Sequence, residues 1–198
     1  MINMNKKLLE LYEKVKECKK CQLWKTRTNV VFGSGSPDSK IILVGEAPGY
    51  WEDQKGKPFV GAAGKFLDEL LTIAELKREQ VYIANILKCR PPRNRSPRAE
   101  EIKACTPFLD EQIEIIKPKI ICTLGNFATS YILEKFGFKP QPIGKIHGKV
   151  FQVSNLLFQL KIIPLYHPAA GLYRAYMKDT IRKGWEIVKK ELSKVKSI

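Results

Sequence analysis

The chain has 198 residues, 35 of them Lys or Arg and 20 Asp or Glu, giving a formal net charge of +15 and a pI near 9.6. That length suits one domain with a sizeable core, and the charge points to a polyanionic partner, nucleic acid or an acidic membrane surface, with a merely Lys-rich solvated surface as the plain alternative. No apolar run approaches the roughly 20 residues that span a bilayer, and the N-terminus lacks the apolar stretch of a signal peptide, so a soluble, cytoplasmic protein without a membrane partner is expected.

Residues 5–17, NKKLLELYEKVKE, place Leu8, Leu11, Tyr12 and Val15 at helical spacing. A polar loop with GSGSPDS follows, and the β-branched run KIILVG (40–45) reads as a buried strand. The next stretch, GEAPGYWEDQKGKPFVGAAG (45–64), crowds acidic residues, aromatics and glycines into one long loop. It leads into GAAGKFLDELLTIA (61–74), an amphipathic helix with Phe66, Leu67, Leu70 and Leu71 on one face. QVYIANI (80–86) is the second strand. KCRPPRNRSPRAEE (88–101) is an irregular loop, because Pro91, Pro92 and Pro97 preclude continuous helix. Ser96 and Pro97 suit the N-cap and first residue of a helix near 97–117. KIICTLG (119–125) is the third strand, followed by a helix from about Asn126. An antiparallel detour near KIHGKVFQV (145–153) precedes the fourth strand, LKIIPLYHP (160–168), and the last helix begins beyond HPAA and ends in a Lys-rich tail. Strands alternating with helices indicate an α/β fold, a parallel sheet with helices on both faces, spanning 1–198 as one domain.

In such sheets ligands bind at the carboxyl ends of the strands. The acidic loop, Asn85, Gly125-Asn126 and His167 each follow or close a strand, so four polar features fall on one rim. The five cysteines (18, 21, 89, 105 and 122) are odd in number and include one CxxC, which argues against a disulfide framework and for metal or redox chemistry. C-x2-C, 67 residues, then C-x15-C would serve tetrahedral zinc or an iron–sulfur cluster. The split second pair leans towards the bulkier cluster, with zinc and no metal left open. Cys122, inside an apolar strand, reads as a small core residue.

The pieces CKKC, GEAPGYWED, GKPFVGAAGKFLDELL, NILKCRPPRNRSP, Cys105 and HPAA, in that order and spacing, resemble the family 4 uracil-DNA glycosylases from Cys18 to just past His167. The resemblance implies a three-layer αβα fold with a four-stranded parallel sheet and a structural 4Fe–4S cluster on Cys18, Cys21, Cys89 and Cys105. It also implies monofunctional excision of uracil from DNA in base excision repair, leaving an abasic site. Phe59 matches the aromatic that stacks on the base and His167 the donor to uracil O2, with backbone N–H groups around Ala47 sharing that load. Asn85 stands where an amide reads the uracil edge. Ala47 occupies the place where the best-known branch carries a water-activating Asp, so Glu52 is expected to orient the water, with Glu46 second and Asp53 tying the loop down. Gly49 stands where that branch has the tyrosine that blocks thymine's methyl. Arg90, Arg93 and Arg95 are expected against the DNA backbone, as is Arg174, with Leu172 as the wedge that fills the vacated stack. The substrate would be uracil-containing DNA, single- or double-stranded. The chain is expected to be monomeric, with a sliding clamp as a partner for its Lys-rich C-terminus and a composition of thermophile type. The alternative is a non-catalytic iron–sulfur DNA-binding protein of the same superfamily, which would not need Phe59, Asn85 and His167 on one rim.

Overall fold

Asn5 starts the first helix: its Oδ1 accepts the N–H of Leu8 at 2.9 Å, capping α1 (Lys6–Lys16). The computed structural model describes residues 5–154 and 159–196. After α1 come β1 (Ser34–Gly35), β2 (Ile41–Gly45), α2 (Tyr50–Lys55), α3 (Ala62–Ile73) and β3 (Tyr82–Asn85). The second half holds α4 (Ala99–Ile116), β4 (Ile120–Leu124), α5 (Asn126–Lys135), α6 (Ile143–Ile146), β5 (Phe151–Ser154), β6 (Gln159–Leu165), α7 (Ala169–Tyr173) and α8 (Lys178–Lys196).

The strands form one sheet in the order β1-β3-β2-β4-β6-β5. The four inner strands are parallel, as expected, but the sheet is not the four-stranded parallel one: β1 and β5 add antiparallel edges, making it mixed and six-stranded. β5 is the detour seen in KIHGKVFQV. β1 lies inside GSGSPDS, where two residues carry no alternation to read, and it pairs because Gly35 lets the backbones meet. A Cβ there would fall 1.8 Å from the Val81 carbonyl oxygen, and its φ of +124° suits only glycine.

Period-2 alternation divides the inner strands between two cores. Ile42 and Val44 of β2 join Tyr82 and Ala84 of β3 on the face covered by α1, α4 and α5. Ile41, Leu43 and Ile83 face α3 and α8, whose Leu67, Leu70, Ile181 and Trp185 are buried there. Cys122 is fully buried in that second core, as expected. Among the described residues no helix is long and apolar enough to cross a membrane.

Two local expectations are corrected. α4 begins at Ala99 with Arg98 at its N-cap, rather than at Ser96-Pro97. Glu101 reaches back to accept the Arg98 N–H at 2.9 Å and pairs with the Arg95 guanidinium through both carboxylate oxygens, so the helix starts where that carboxylate sits. The 45–64 stretch is not all loop: it contains the short helix α2, held by Asp53. That carboxylate accepts the Thr28 N–H at 3.0 Å and the Asn29 N–H at 3.4 Å, while Asn29 Nδ2 donates to the Asp53 carbonyl at 2.8 Å.

Trp185 heads the fully buried side chains by volume. Trp185→Ala should lower stability by about 3–5 kcal/mol, read as a shift of the denaturant midpoint at unchanged slope.

Candidate active site and cysteine centre

The carboxyl ends of β2, β3 and β6 open into a cleft of about 630 Å³. Glu46 and Ala47 follow β2, Asn85 ends β3, His167 lies just past β6, and Phe59 and Glu52 enter from the α2–α3 segment; all six line the cleft. β4 brings no residue to the cleft lining. Gly125, after β4, would bring a Cβ to 3.3 Å from His167 Cβ.

Phe59 stacks on His167, with ring centroids 5.5 Å apart and planes 27° from parallel. Its backbone is left-handed, φ +52°, at a cost of roughly 1–2 kcal/mol for a non-glycine residue. Two contacts hold it there. Arg78, itself paired with Asp68 at 2.8 Å, donates to the Phe59 carbonyl at 2.7 Å. Gly64 lies so close that a Cβ would sit 1.9 Å from that same oxygen. Neither residue stood out in the sequence, because their role depends on a contact made only in three dimensions.

Asn85 is 2% exposed, and its side-chain Oδ1 is buried without a hydrogen-bond partner. Gly45 makes space for it: a Cβ there would lie 2.3 Å from Oδ1 and 2.9 Å from the Phe59 ring. The Asn85 carbonyl accepts a hydrogen bond from Lys88 Nζ at 2.9 Å. His167 Nδ1 accepts the Ala169 N–H at 3.2 Å, which leaves the ring proton on Nε2. Burial pushes its pKa down to about 4, opposed by the Glu52 carboxylate, so the imidazole is neutral at physiological pH.

The two glutamates differ in how they are engaged. Glu52 Oε1 accepts the N–H groups of Val60 and Gly61 at 2.8 and 2.9 Å, tying α2 to the start of α3. Glu46 has no such partner among the described residues, and burial raises its carboxyl pKa. At the rim, Leu172 is 43% exposed and lines the cleft, rather than belonging to the core face of the last helix. Arg95 also lines it, with its charge balanced by Glu101. Arg90, Arg93 and Arg174 lie outside the cleft lining. The Arg90 guanidinium sits 5.1 Å from the Tyr50 ring centroid, and Arg93 and Arg174 are exposed.

Cys18, Cys21, Cys89 and Cys105 line one small cavity together with Arg27 and Lys88; Cys122 lies apart in β4. The Lys88 N–H donates to Cys105 Sγ at 3.2 Å, and Arg27 Nη1 to Cys89 Sγ at 3.3 Å and to the Cys18 carbonyl at 3.2 Å. Burial raises the thiols of Cys21 and Cys89 and pushes Cys105 up to about 12. Among the described residues no three His, Cys, Asp or Glu side chains converge tightly enough for a single metal ion. Lys88 is wholly buried. Burial brings its pKa down to about 8, against the opposing pull of Cys105 and Cys89.

The family model described as the uracil DNA glycosylase superfamily matches residues 32–189. A Type-4 uracil-DNA glycosylase of Saccharolobus solfataricus is 46% identical over 182 residues, covering 91% of this chain and 84% of that protein. One of Archaeoglobus fulgidus is 46% identical over 170 residues, covering 86% and 85%. One of Thermotoga maritima is 44% identical over 185 residues, covering 90% and 93%.

The state of His167 is directly measurable. Its ring should titrate near pH 4 rather than at the ordinary 6.5, by NMR of the imidazole protons. Because the unfolded chain takes up this proton first, the stability that His167 contributes is present above about pH 6.5 and declines as pH falls towards about 4. A midpoint near 6.5 in the folded protein would show a solvated, chargeable ring instead.

Proposed function

The chain belongs to the uracil-DNA glycosylase superfamily, and from that membership we infer that it excises uracil from DNA, as a hydrolase of N-glycosyl bonds in DNA repair. Uracil's C1′–N1 bond is hidden in the duplex, so the nucleotide is turned out into the cleft, at an unstacking cost of a few kcal/mol that new contacts offset. The observation that carries the residue assignments is the unpaired, buried Oδ1 of Asn85. Leaving such an acceptor unpaired costs about 1–3 kcal/mol. Uracil relieves that cost by donating N3–H to it and accepting from the same amide through O4. Cytosine carries an acceptor at N3 and a donor at C4 and therefore fits neither.

Phe59 stacks on the uracil ring. The C1′–N1 bond breaks with its electron pair passing to uracil, so negative charge develops at O2 while the sugar becomes an oxocarbenium ion. The Nε2–H of neutral His167 stabilises that charge without first having to lose or gain a proton, and backbone N–H groups around Ala47 share the load. Water adds to C1′ and gives its proton to a carboxylate; passed on through solvent, that proton neutralises the departing uracil anion and restores the carboxylate, leaving uracil and an abasic site. Glu46 is assigned that water. It is the cleft carboxylate free of partners among the described residues and has a raised pKa, both suited to a proton acceptor. Glu52, with Oε1 engaged by two N–H groups, is assigned the loop anchor and a counter-charge. This reverses the order expected from the sequence. Arg90, Arg93 and Arg174 meet phosphates, Leu172 is the wedge, and Arg95 with Glu101 braces the Pro-rich loop beside the DNA.

The cysteine centre fits a 4Fe–4S cluster. Four cysteines, from the N-terminal segment, the Pro-rich loop and α4, line one cavity, and four thiolates are the ligand set such a cluster takes. Arg27, Lys88 and an N–H to sulfur oppose the burial that holds the free thiols neutral, and metal binding would complete the shift to thiolates. The bound cluster would supply four iron–sulfur bonds joining the N-terminal segment, the Pro-rich loop and α4.

Labelled oligonucleotides bearing one uracil, treated with alkali after incubation, test the reading. Wild type should give alkali-dependent scission at that site only. His167→Ala and Asn85→Ala should each lower kcat by about 10²–10³, and Glu46→Gln by about 10² or more, with Glu52→Gln less affected in kcat than in stability. Wild-type protein that retains its metal but yields no alkali-labile site would leave a DNA-binding relative without the reaction. Elemental analysis should find iron with acid-labile sulfide, both lost in Cys89→Ser; zinc without sulfide would overturn the cluster.

A further inference from the structure

Four of the six large hydrophobic side chains that are exposed among the described residues line this one cleft: Tyr50 at 48%, Trp51 at 57%, Leu172 and Tyr173. The wedge role accounts for Leu172, and Tyr173 adjoins it in the chain. Nothing in the excision chemistry accounts for Tyr50 and Trp51, which open α2 while its remaining residues are polar or charged. Contiguous exposed apolar surface of this kind marks a binding site.

The pair is fixed in place. Tyr50 and Trp51 meet edge to face, with centroids 5.2 Å apart and planes at 77°. Trp51 also lies close against Gly61, where a Cβ would come 3.6 Å from its Cδ1. The Arg90 guanidinium stacks on Tyr50, fastening the pair to the Pro-rich loop and placing a cation beside it. The α2 backbone is anchored through Asp53 and Glu52. Rigid, half-exposed aromatic rings with a guanidinium alongside are what unpaired bases and their phosphates bind, because every base has a face to stack whatever its sequence.

Resting on the excision reading above, we propose that Tyr50 and Trp51 form a stacking site for an unpaired base next to the turned-out uracil, which gives the protein a preference for single-stranded over duplex DNA. In a duplex, the neighbouring bases are already stacked and paired, so they reach these rings only at the cost of melting. In a single strand they are free to do so.

Binding is measured on uracil-free single-stranded and duplex oligonucleotides of equal length at one fixed salt concentration, with the metal-loaded full chain. The double variant Tyr50→Ser/Trp51→Ser should lose about fivefold or more in single-strand affinity with little change on duplex, while Trp51→Phe keeps most of it. Single-stranded oligonucleotide should quench wild-type tryptophan fluorescence, and the quench should vanish in Trp51→Phe. Trp185 is buried and serves as an internal check that the variants are folded. Equal losses on both DNAs, no loss on either, or a quench that survives Trp51→Phe would overturn the proposal. Excision is scored separately. Wild type that excises uracil, with a double variant of undiminished single-strand affinity, sinks the stacking site and leaves the enzyme reading standing. Wild type that fails to excise, with a selective single-strand loss in the variant, sinks the enzyme reading and leaves the stacking site standing.

Discussion

The buried ammonium of Lys88 is the interaction around which the two halves of this molecule are organised. It has no solvent exposure, and a buried charge of that kind persists only when it is paired and hydrogen-bonded. Nζ donates to the Asn85 carbonyl at 2.9 Å and to Gln112 Oε1 at 2.7 Å. Gln112 in turn donates to the Phe32 carbonyl and to the Tyr82 hydroxyl. On its other side Lys88 faces Cys89 and Cys105, and its own N–H meets the Cys105 sulfur. On the cluster reading proposed above, thiolates held by metal would give the ammonium a counter-charge, and the ammonium would offset the burial of their charge.

That mutual dependence reaches the cleft through three residues of chain. Lys88 follows Asn85 at the end of β3, and its ammonium turns back onto the Asn85 carbonyl, fixing the backbone that presents the amide. If Asn85 reads the base as proposed, the cysteine centre bears on that recognition through position, without touching the base. The loops opposite are fixed by similar long-range ties: Asp53 to the 28–29 backbone, Glu52 to Val60 and Gly61, and Arg78 to the Phe59 carbonyl. A strongly basic protein thereby keeps carboxylates beside its cleft, where most of them are anchors.

This arrangement explains what could be read from the sequence. The inner strands announced themselves as β-branched runs, and Asn85 and His167 were legible because they close or follow such runs at the rim where α/β sheets bind ligands. Phe59, Glu46 and the four cysteines were found through motif order. The edge strand β1 was not legible, being two residues in a glycine-rich turn whose pairing rests on one close backbone approach. The start of α4 was misplaced because Ser96-Pro97 makes a plausible cap, whereas the helix is set by Glu101 further along. The proposal that exchanges Glu52 and Glu46 rests on a contact of the same kind. Both are acidic residues near one another in sequence, and only the hydrogen bonds to Val60 and Gly61 separate an engaged carboxylate from a free one. Arg78 and Gly64 act on Phe59 across folded space, which no local pattern records.

Several groups at the cleft are left without partners among the described residues. Phe59 is held in a left-handed backbone, Asn85 keeps a buried acceptor without a donor, His167 keeps a donor on Nε2, and Glu46 keeps a carboxylate that burial disfavours. The left-handed backbone of Phe59 and the orphaned Asn85 acceptor each lower stability by an amount comparable to a single core contact. Elsewhere the core is well filled and buried polar groups are largely paired, Trp185 Nε1 being the other buried orphan. An unpaired buried acceptor beside a partner-free carboxylate on one rim, against a sheet packed on both faces, is what a site complementary to something absent requires. Relieving them with a protein group would stabilise the fold and fill the space into which the proposed mechanism turns the base.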